Sequence, residues 1–222
     1  MFLKFEQLFL GYLYFSLIFL YISFNTNSLD TQPWYIFLGI ILFLAYFIIN
    51  EGQLRKIFIK PLILPVSAII VGVLWGDLFD FNFYRSIAGY CGFYFVFVSV
   101  CHLFQIGYGD KIYKMLVHVD IIWLAFSLIQ FWGGQYVLDF LIHIRTHETR
   151  GVTSIAPEPS QFGMVLVFLQ LSMIAFALSE DRFMRTSLFF FLINFLTILL
   201  LAKSSMAMLY EIIFTALVIY TY

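Results

Sequence analysis

Long uninterrupted apolar runs are the feature that most constrains how this 222-residue chain can fold. They do not alternate apolar with polar residues, so they favour buried or membrane-embedded helices over strands. Each is near the roughly 20 residues that carry a helix across a bilayer. The chain is therefore predicted to be an all-α, polytopic transmembrane helical bundle of about eight spans: Phe5–Phe24, Trp34–Asn50, Ile57–Trp75, Ser86–Ile106, Met115–Trp132, Gln161–Ser179, Phe183–Ala202 and Ser204–Tyr222.

The composition agrees with a membrane protein. Hydrophobic residues make up 63% of the chain and charged residues 11%, whereas charged residues take about a quarter of an ordinary soluble domain. The formal net charge of −1 gives no support for a nucleic-acid partner. The first apolar run continues to Phe24 without a small-residue cleavage site, so it is predicted to be a retained span and not a signal peptide.

Lysine and arginine predict the orientation of the spans, because basic residues concentrate on the cytoplasmic side. With a cytoplasmic N-terminus, the inner connections carry Lys4, Arg55, Lys56, Lys60, Lys111, Lys114, Arg182 and Arg185, and the outer ones carry Arg85, Arg145, Arg150 and Lys203. This arrangement places the longest connection, at about residues 133–160, on the outward face. A reaction there has no access to cytoplasmic nucleotides, so its substrate must arrive already energised and already across the membrane.

The whole chain, residues 1–222, is expected to form a single transmembrane domain. Its last apolar run reaches Tyr222 without a basic stop or a polar tail. We therefore expect these residues to be an incomplete part of a larger bundle.

Polar residues in the outward loop recur with a helical period. Asp139, His143, Thr146, His147 and Arg150 fall at offsets that share one helix face. The spacing predicts an interfacial helix that lies on the bilayer with its polar side toward water. His143 and His147 also have the i, i+4 spacing of metal ligands, but a third ligand is not evident, so neither a metal nor a cofactor is expected.

A proline-stiffened carboxylate follows this loop. Pro157 and Pro159 hold the residues before them in extended conformations, because a residue that precedes proline avoids the α region. Ser160 is placed to cap the next span. Glu158 is then expected on rigid backbone near a helix N-terminus, where the helix dipole favours negative charge.

Two acidic residues fall inside apolar runs, where charge is costly and usually faces the bundle interior. A structural role is favoured for Asp120, and both a structural and a functional role stay open for Glu211. Lys203 and Glu211 are eight residues apart, so they are expected to share a helix face and to belong to one polar track.

The segment Arg150–Gly163 resembles the pattern R-G-x-T-S-x-x-x-E-P-S-x-x-G, which is typical of bacterial O-antigen and exopolysaccharide repeat-unit polymerases of the Wzy type. The later stretch Leu200–Met206 is similar to a serine-rich segment between two following spans of that family. Family members are longer, with more spans and a second large outer loop, so the resemblance concerns their N-terminal portion.

The resemblance implies a glycosyltransferase of the bacterial inner membrane that joins oligosaccharide repeats carried on undecaprenyl pyrophosphate at the outer face. It implies Glu158 and Arg150 as catalytic residues, and a substrate-binding set of Arg145, Arg150, Ser160 and Lys203. Arginine suits pyrophosphate because its planar fork stays charged and binds two oxygens at once. Membrane lipids, a chain-length regulator and a flippase are the further partners it implies.

Three alternatives stay open at the level of sequence. An O-antigen ligase uses a similar lipid-linked donor and differs only in its acceptor. A transporter or flippase of the lipid-linked glycan would use Asp120, Glu211 and the interrupted span Ile57–Trp75, although no paired repeat is visible. An inactive truncated membrane protein would also account for the abrupt C-terminus.

Overall fold

The structure, a computed structural model, describes residues 2–21, 34–49, 59–75, 81–142, 144–146, 150–179 and 183–221. Within these ranges the chain is helical and contains no strand. The helices are α1 (Phe2–Ile18), α2 (Trp34–Ile49), α3 (Ile63–Trp75), α4 (Phe81–Gln105), α5 (Gly109–Gly133), α6 (Pro159–Ser179), α7 (Met184–Thr197) and α8 (Ser205–Thr221). A 3-10 turn at Lys60–Leu62 precedes α3, and α7 continues as a π-helical turn at Ile198–Ala202.

Each apolar run overlaps one of these helices, so the all-α prediction is confirmed for the described residues. Three of the described helices are long and apolar enough to cross a membrane: Gly109–Gly133, Pro159–Leu178 and Met184–Ala202. A helical protein with helices capable of spanning a bilayer is therefore established. The number of eight spans and the cytoplasmic N-terminus stay predictions.

Some helices extend beyond the apolar runs from which they were predicted. Helix α5 begins at Gly109, well before the run at Met115, and its first turn holds Asp110, where the helix dipole favours an acid. Lys111 is exposed and lies over the ring of Tyr108, with Nζ 3.8 Å from the ring centroid. Hydropathy alone misses such first turns because their residues are polar although their backbone is helical.

The chain forms two compact units, which are described separately: unit 1 comprises Met1–Leu20 and Pro33–Ile112, and unit 2 comprises Tyr21–Gln32 and Tyr113–Tyr222. The interior of unit 1 is aromatic. The ring of His102 lies 5.2 Å, centroid to centroid, from the rings of both Phe9 and Tyr46. All three side chains are buried, so this end of the unit is held together by ring packing.

Unit 2 is built around α6, which packs against both α7 and α8. A Cβ on Gly163 of α6 would lie 2.5 Å from the Cβ of Ala207 on α8, so the two helices approach closely at this point. Small residues permit such contact between apolar helices. The π-helical turn that follows α7 ends at Lys203, whose left-handed backbone (φ 50°) redirects the chain into α8.

The predicted interfacial helix in the loop at about residues 133–160 is wrong. The loop begins with a short 3-10 turn at Gln135–Leu138, and the described residues that follow are turns, bends and irregular backbone up to α6. Thr146, assigned to the water-facing side, is buried, as are Ile142 and Ile144. The loop buries these side chains in an irregular conformation, so its polar periodicity did not predict its backbone structure. His143 and His147 lie outside the described residues.

Candidate functional site

The segment that carries the Wzy-like pattern is buried between helices of unit 2. Thr153, Ser154, Ile155 and Ala156 are fully buried, and Val152 is nearly so. A buried irregular segment must satisfy its backbone polar groups through side chains or neighbouring backbone. The partners of these groups therefore define the conformation of the site.

Gln130, near the end of α5, is the principal anchor of this segment. Its Oε1 accepts hydrogen bonds from the backbone N–H groups of Thr153 (2.7 Å) and Ser154 (2.8 Å). Its Nε2 donates to the carbonyl of Gln135 (2.7 Å) and to Oγ1 of Thr153 (3.0 Å). One buried amide thus uses both ends to fix the segment and the start of the loop.

Ser154 adopts a left-handed backbone conformation, with a φ of 53° that non-glycine residues rarely adopt. Its hydroxyl donates to the carbonyl of Trp123 on α5 at 2.7 Å. The indole of Trp123 stacks on the ring of Phe162, with an interplanar angle of 11° and centroids 6.1 Å apart. The serine of the pattern therefore binds the segment to the helix surface, and the contact stabilises a strained backbone that would otherwise relax.

The other end of the segment meets the π-helical turn that follows α7. The N–H of Val152 donates to the carbonyl of Leu201 at 2.9 Å. Gly151 has a φ of 123°, and a Cβ at this position would lie 2.5 Å from the carbonyl oxygen of Ala202. Only glycine fits this backbone and this space without displacing the turn. The glycine of the pattern is therefore explained by a close approach of two backbones.

A polar cavity of about 210 Å³ opens beside this contact. It is lined by Gln130 and Gly134 from the α5 side, by Gly151 of the segment, and by Leu201 and Lys203 from the end of α7, among others. Lys203 is exposed and is the charged residue of this lining. The cavity is therefore a place where an anionic group would meet a cation.

Arg150 is next to the cavity lining in the sequence. It is exposed and directly precedes Gly151, a lining residue of the cavity, although Arg150 itself does not line the cavity. Gly151 and Ala202 are in close contact. Arg150 directly precedes Gly151 and Lys203 directly follows Ala202, so the contact brings Arg150 and Lys203 to the same end of unit 2. Two of the predicted cations are thus brought together.

A second group of predicted residues forms at the start of α6. The N–H of Arg145 donates to the carbonyl of Pro157 at 2.9 Å, which places Arg145 beside Glu158 along the backbone. The hydroxyl of Ser160 donates to Oε2 of Glu158 at 3.3 Å. Glu158 is half-buried and Arg145 is exposed. Arg145, one of the predicted substrate-binding residues, therefore lies next to the predicted acid.

The expected cap of α6 requires a correction. The helix begins at Pro159, a favourable first helical residue, and the carbonyl of Glu158 accepts the first helical hydrogen bond from the N–H of Phe162 (3.1 Å). Glu158, and not Ser160, therefore occupies the capping position. The prediction that places the Glu158 carboxylate at a helix N-terminus is consistent with this geometry.

The two acids that fall inside apolar runs, Asp120 and Glu211, bind separate amide partners. Nδ2 of Asn194 donates to both carboxylate oxygens of Asp120, at 3.1 and 3.2 Å, and all these groups are buried. Gln170 donates through Nε2 to Oε2 of Glu211. The structural role favoured for Asp120 agrees with this contact. The expected helix face shared by Lys203 and Glu211 is wrong, because Lys203 precedes α8 in an irregular turn.

The described residues contain no group of three histidine, cysteine or acidic side chains that could hold a metal ion. The charged groups that the structure places at the site are the cations Arg145, Arg150 and Lys203 and the carboxylate of Glu158. These groups can bind and orient an anionic substrate and accept a proton.

Sequence reasoning missed Gln130, which hydrogen-bonds both Thr153 and Ser154. In the sequence it is one residue of the apolar run Met115–Trp132. The available signal was a primary amide near the end of an apolar helix, since such a group is costly in lipid unless it finds a partner. The position of its partners, however, depends on tertiary structure.

Comparisons with known proteins give no relative for this chain. No protein-family model matches it, and neither does any curated protein or any solved structure.

Proposed function

We propose that this chain is part of a bacterial inner-membrane glycosyltransferase that polymerises oligosaccharide repeats carried on undecaprenyl pyrophosphate. The observation that carries the proposal is the segment Gly151–Ala156, which a buried amide fixes between two groups of charged residues. The same segment carries the Wzy-like pattern. Fixed geometry of this kind is what positioning two substrates requires.

The cationic group suits the leaving pyrophosphate. Lys203 lines the cavity of about 210 Å³, and the exposed Arg150 directly precedes Gly151, another lining residue. As the bond between the anomeric carbon and the pyrophosphate oxygen breaks, the electron pair stays on pyrophosphate and its negative charge grows. Preorganised cations stabilise that developing charge most when water is excluded around them. We therefore assign leaving-group stabilisation to Arg150 and Lys203.

The acidic group suits the acceptor sugar. Its hydroxyl oxygen attacks the anomeric carbon, and the hydroxyl proton passes to a base as the new glycosidic bond forms. Glu158 is half-buried, is held between two prolines, and accepts a hydrogen bond from Ser160. We assign it as the base or the residue that orients the acceptor. Arg145, adjacent to it through the contact with Pro157, is assigned to binding the glycan.

The proposed setting is the outer face of the cytoplasmic membrane. The excess of basic residues in the alternate connections supports a cytoplasmic N-terminus, which would direct residues 133–160 outward. The proposed partners are the lipid-linked glycan, membrane lipids, a chain-length regulator and a flippase. A lipid-linked donor already carries its activated bond, so the reaction needs no nucleotide and the proposal includes no cofactor.

The test is glycan chain length in cells that express the intact gene with Arg150→Ala or Glu158→Gln. Each is expected to reduce long-chain polymer by at least about a hundredfold, consistent with loss of a charge-stabilising or proton-transfer group. Arg185→Ala and Asp139→Asn are the matched controls, because both residues are exposed and carry no assigned role. Both controls are expected to retain normal polymer at normal protein levels.

Normal polymer in the Arg150 and Glu158 variants would remove them from the site. Single repeats that accumulate outside the cell support a polymerase, whereas single repeats confined to the cytoplasmic side would point to a flippase instead. Normal polymer that is not attached to its final acceptor would point to the ligase.

A further inference from the structure

An apolar groove of about 460 Å³ lies between α5 and α7 in unit 2. On α5 it is lined by residues from Ile121 to Leu128, and on α7 by residues from Phe189 to Thr197. At 1.5 Å per residue these stretches extend about 10–12 Å along the helices. By length and composition, both helices belong to the described set that could cross a membrane.

The cavity that Lys203 lines begins about one turn further along the same two stretches of chain. On α5 the groove lining reaches Leu128 and the cavity lining begins at Gln130. On α7 the groove lining reaches Thr197, and the cavity lining begins at Leu200 in the π-helical turn that follows. The two spaces therefore succeed each other along the two helices.

The charged residues nearby distinguish this groove from an apolar groove in unit 1. The groove in unit 1, about 400 Å³, is lined by apolar side chains with Gln7 and Tyr12, and no charged residue lines it. The groove between α5 and α7 ends beside Lys203, with Arg150 at the same end. None of the described residues that line that cavity is acidic. The whole site is therefore complementary to a molecule with an apolar chain and an anionic head.

We propose that the groove between α5 and α7 holds the isoprenoid chain of the lipid-linked substrate while its pyrophosphate lies in the cavity beside Lys203. This inference rests on the proposed function and assigns the substrate's lipid chain to particular residues. The floor of the groove is formed by the buried Ser127, Phe190 and Thr197, and its rim includes the exposed Ala125. Apolar contact along the groove supplies affinity, and the cation sets the depth of the headgroup.

The test measures binding to the purified full chain in nanodiscs with three probes: farnesyl pyrophosphate, inorganic pyrophosphate and phosphatidylglycerol. Ala125→Trp fills the groove from its rim, and Ala175→Trp, on the exposed surface of α6 and outside the lining of either space, is the matched control. Ala125→Trp is expected to raise the Kd of farnesyl pyrophosphate about tenfold while leaving pyrophosphate unchanged. Lys203→Ala is expected to weaken both probes.

Equal affinities of Ala125→Trp and Ala175→Trp for farnesyl pyrophosphate would overturn the assignment. So would phosphatidylglycerol that competes as well as farnesyl pyrophosphate, since the groove would then be an ordinary lipid seam. The length of the glycan made by cells distinguishes a failure of the groove assignment from a failure of the proposed polymerase function. Full-length polymer in the Ala125→Trp strain, with none in the Arg150→Ala strain, removes the groove and keeps the polymerase. If Ala125→Trp weakens farnesyl pyrophosphate binding but the Arg150→Ala and Glu158→Gln strains make normal polymer, the groove assignment stands and the polymerase function is rejected.

Discussion

The two compact units use the same kind of apolar helix but stabilise their interiors by different means. In unit 1 the buried rings of Phe9, Tyr46 and His102 pack against one another. In unit 2 buried amides and hydroxyls form directed contacts, with Gln130 bound to Thr153 and Ser154, and Asn194 bound to Asp120.

This difference in interior contacts matters for helices in a membrane. Lipid tails are as apolar as the helix surfaces, so apolar burial alone does not drive such helices together. Ring packing gives unit 1 cohesion but tolerates small shifts along a helix. Hydrogen bonds between buried polar groups specify one register, because any slip leaves a donor unpaired in an apolar medium. Unit 2, which holds the candidate site, therefore has the more exacting geometry, and substitutions that disturb its directed contacts should have the larger effects.

The largest expected effect comes from Gly151→Ala. The change adds a Cβ 2.5 Å from the carbonyl oxygen of Ala202, at a backbone φ of 123°. Strain and overpacking together should cost about 4 kcal/mol of unfolding free energy. Equilibrium unfolding of the purified protein in detergent measures this cost.

Gly107→Ala in unit 1 is the matched control for that prediction. Gly107 also has positive φ (80°), but a Cβ there would meet nothing within 4 Å. It should cost about 1–2 kcal/mol from backbone strain alone. Equal losses from the two substitutions would mean that the close backbone contact of the segment does not constrain the fold.

A smaller but more informative effect is expected from Gln130→Leu. It leaves the buried N–H groups of Thr153 and Ser154 without their acceptor, which should cost about 3 kcal/mol. The freed segment should also become accessible to trypsin after Arg150, so cleavage should accelerate in native conditions.

Ser99→Ala in unit 1 supplies the comparison, because the buried Ser99 hydroxyl only donates to Phe95 within its own helix (2.7 Å). It should cost no more than about 1 kcal/mol and leave trypsin cleavage unchanged. If Gln130→Leu behaved like Ser99→Ala, directed polar contacts would not distinguish the two units.

The smallest expected effect is that of Asn194→Leu on α7. It removes the donor to Asp120, and polar contacts between helices in lipid are worth about 1 kcal/mol on average or less. Combining it with Asp120→Leu should recover part of the loss, since no polar group is then left unpaired. A double-mutant cycle on unfolding free energy measures this coupling, and simple additivity would show that the pair contributes no specificity.

The helices could be predicted from sequence because each is an apolar run long enough to demand a buried or lipid environment. The conformation of the loop at about residues 133–160 could not be predicted. Its polar period suggested a helix, yet the loop folds over Ile142, Ile144 and Thr146, and the N–H of Arg145 binds the carbonyl of Pro157. The backbone conformation of the loop is determined by tertiary contacts and not by its local polar periodicity.

The sequence predicted which residues belong to the candidate site, but not the contacts that bring them together. The pattern around Arg150 and Glu158 indicated where polar chemistry lies, and two prolines indicated a fixed carboxylate. The anchor, Gln130, lies 23 residues before its partner Thr153. The contact that brings Arg150 toward Lys203 joins backbones some fifty residues apart. Such pairings follow from the packing of α5 and α7 and leave no local signature.

The central claim, that the segment anchored by Gln130 faces the non-cytoplasmic side, is tested most directly by thiol labelling. The measurement uses Arg150→Cys in a protein whose two native cysteines, Cys91 and Cys101, are replaced by serine. A membrane-impermeant maleimide should label Cys at position 150 in intact spheroplasts, whereas Arg185→Cys, at the other end of α7, should react only after permeabilisation. Labelling of position 150 only after permeabilisation would contradict the account.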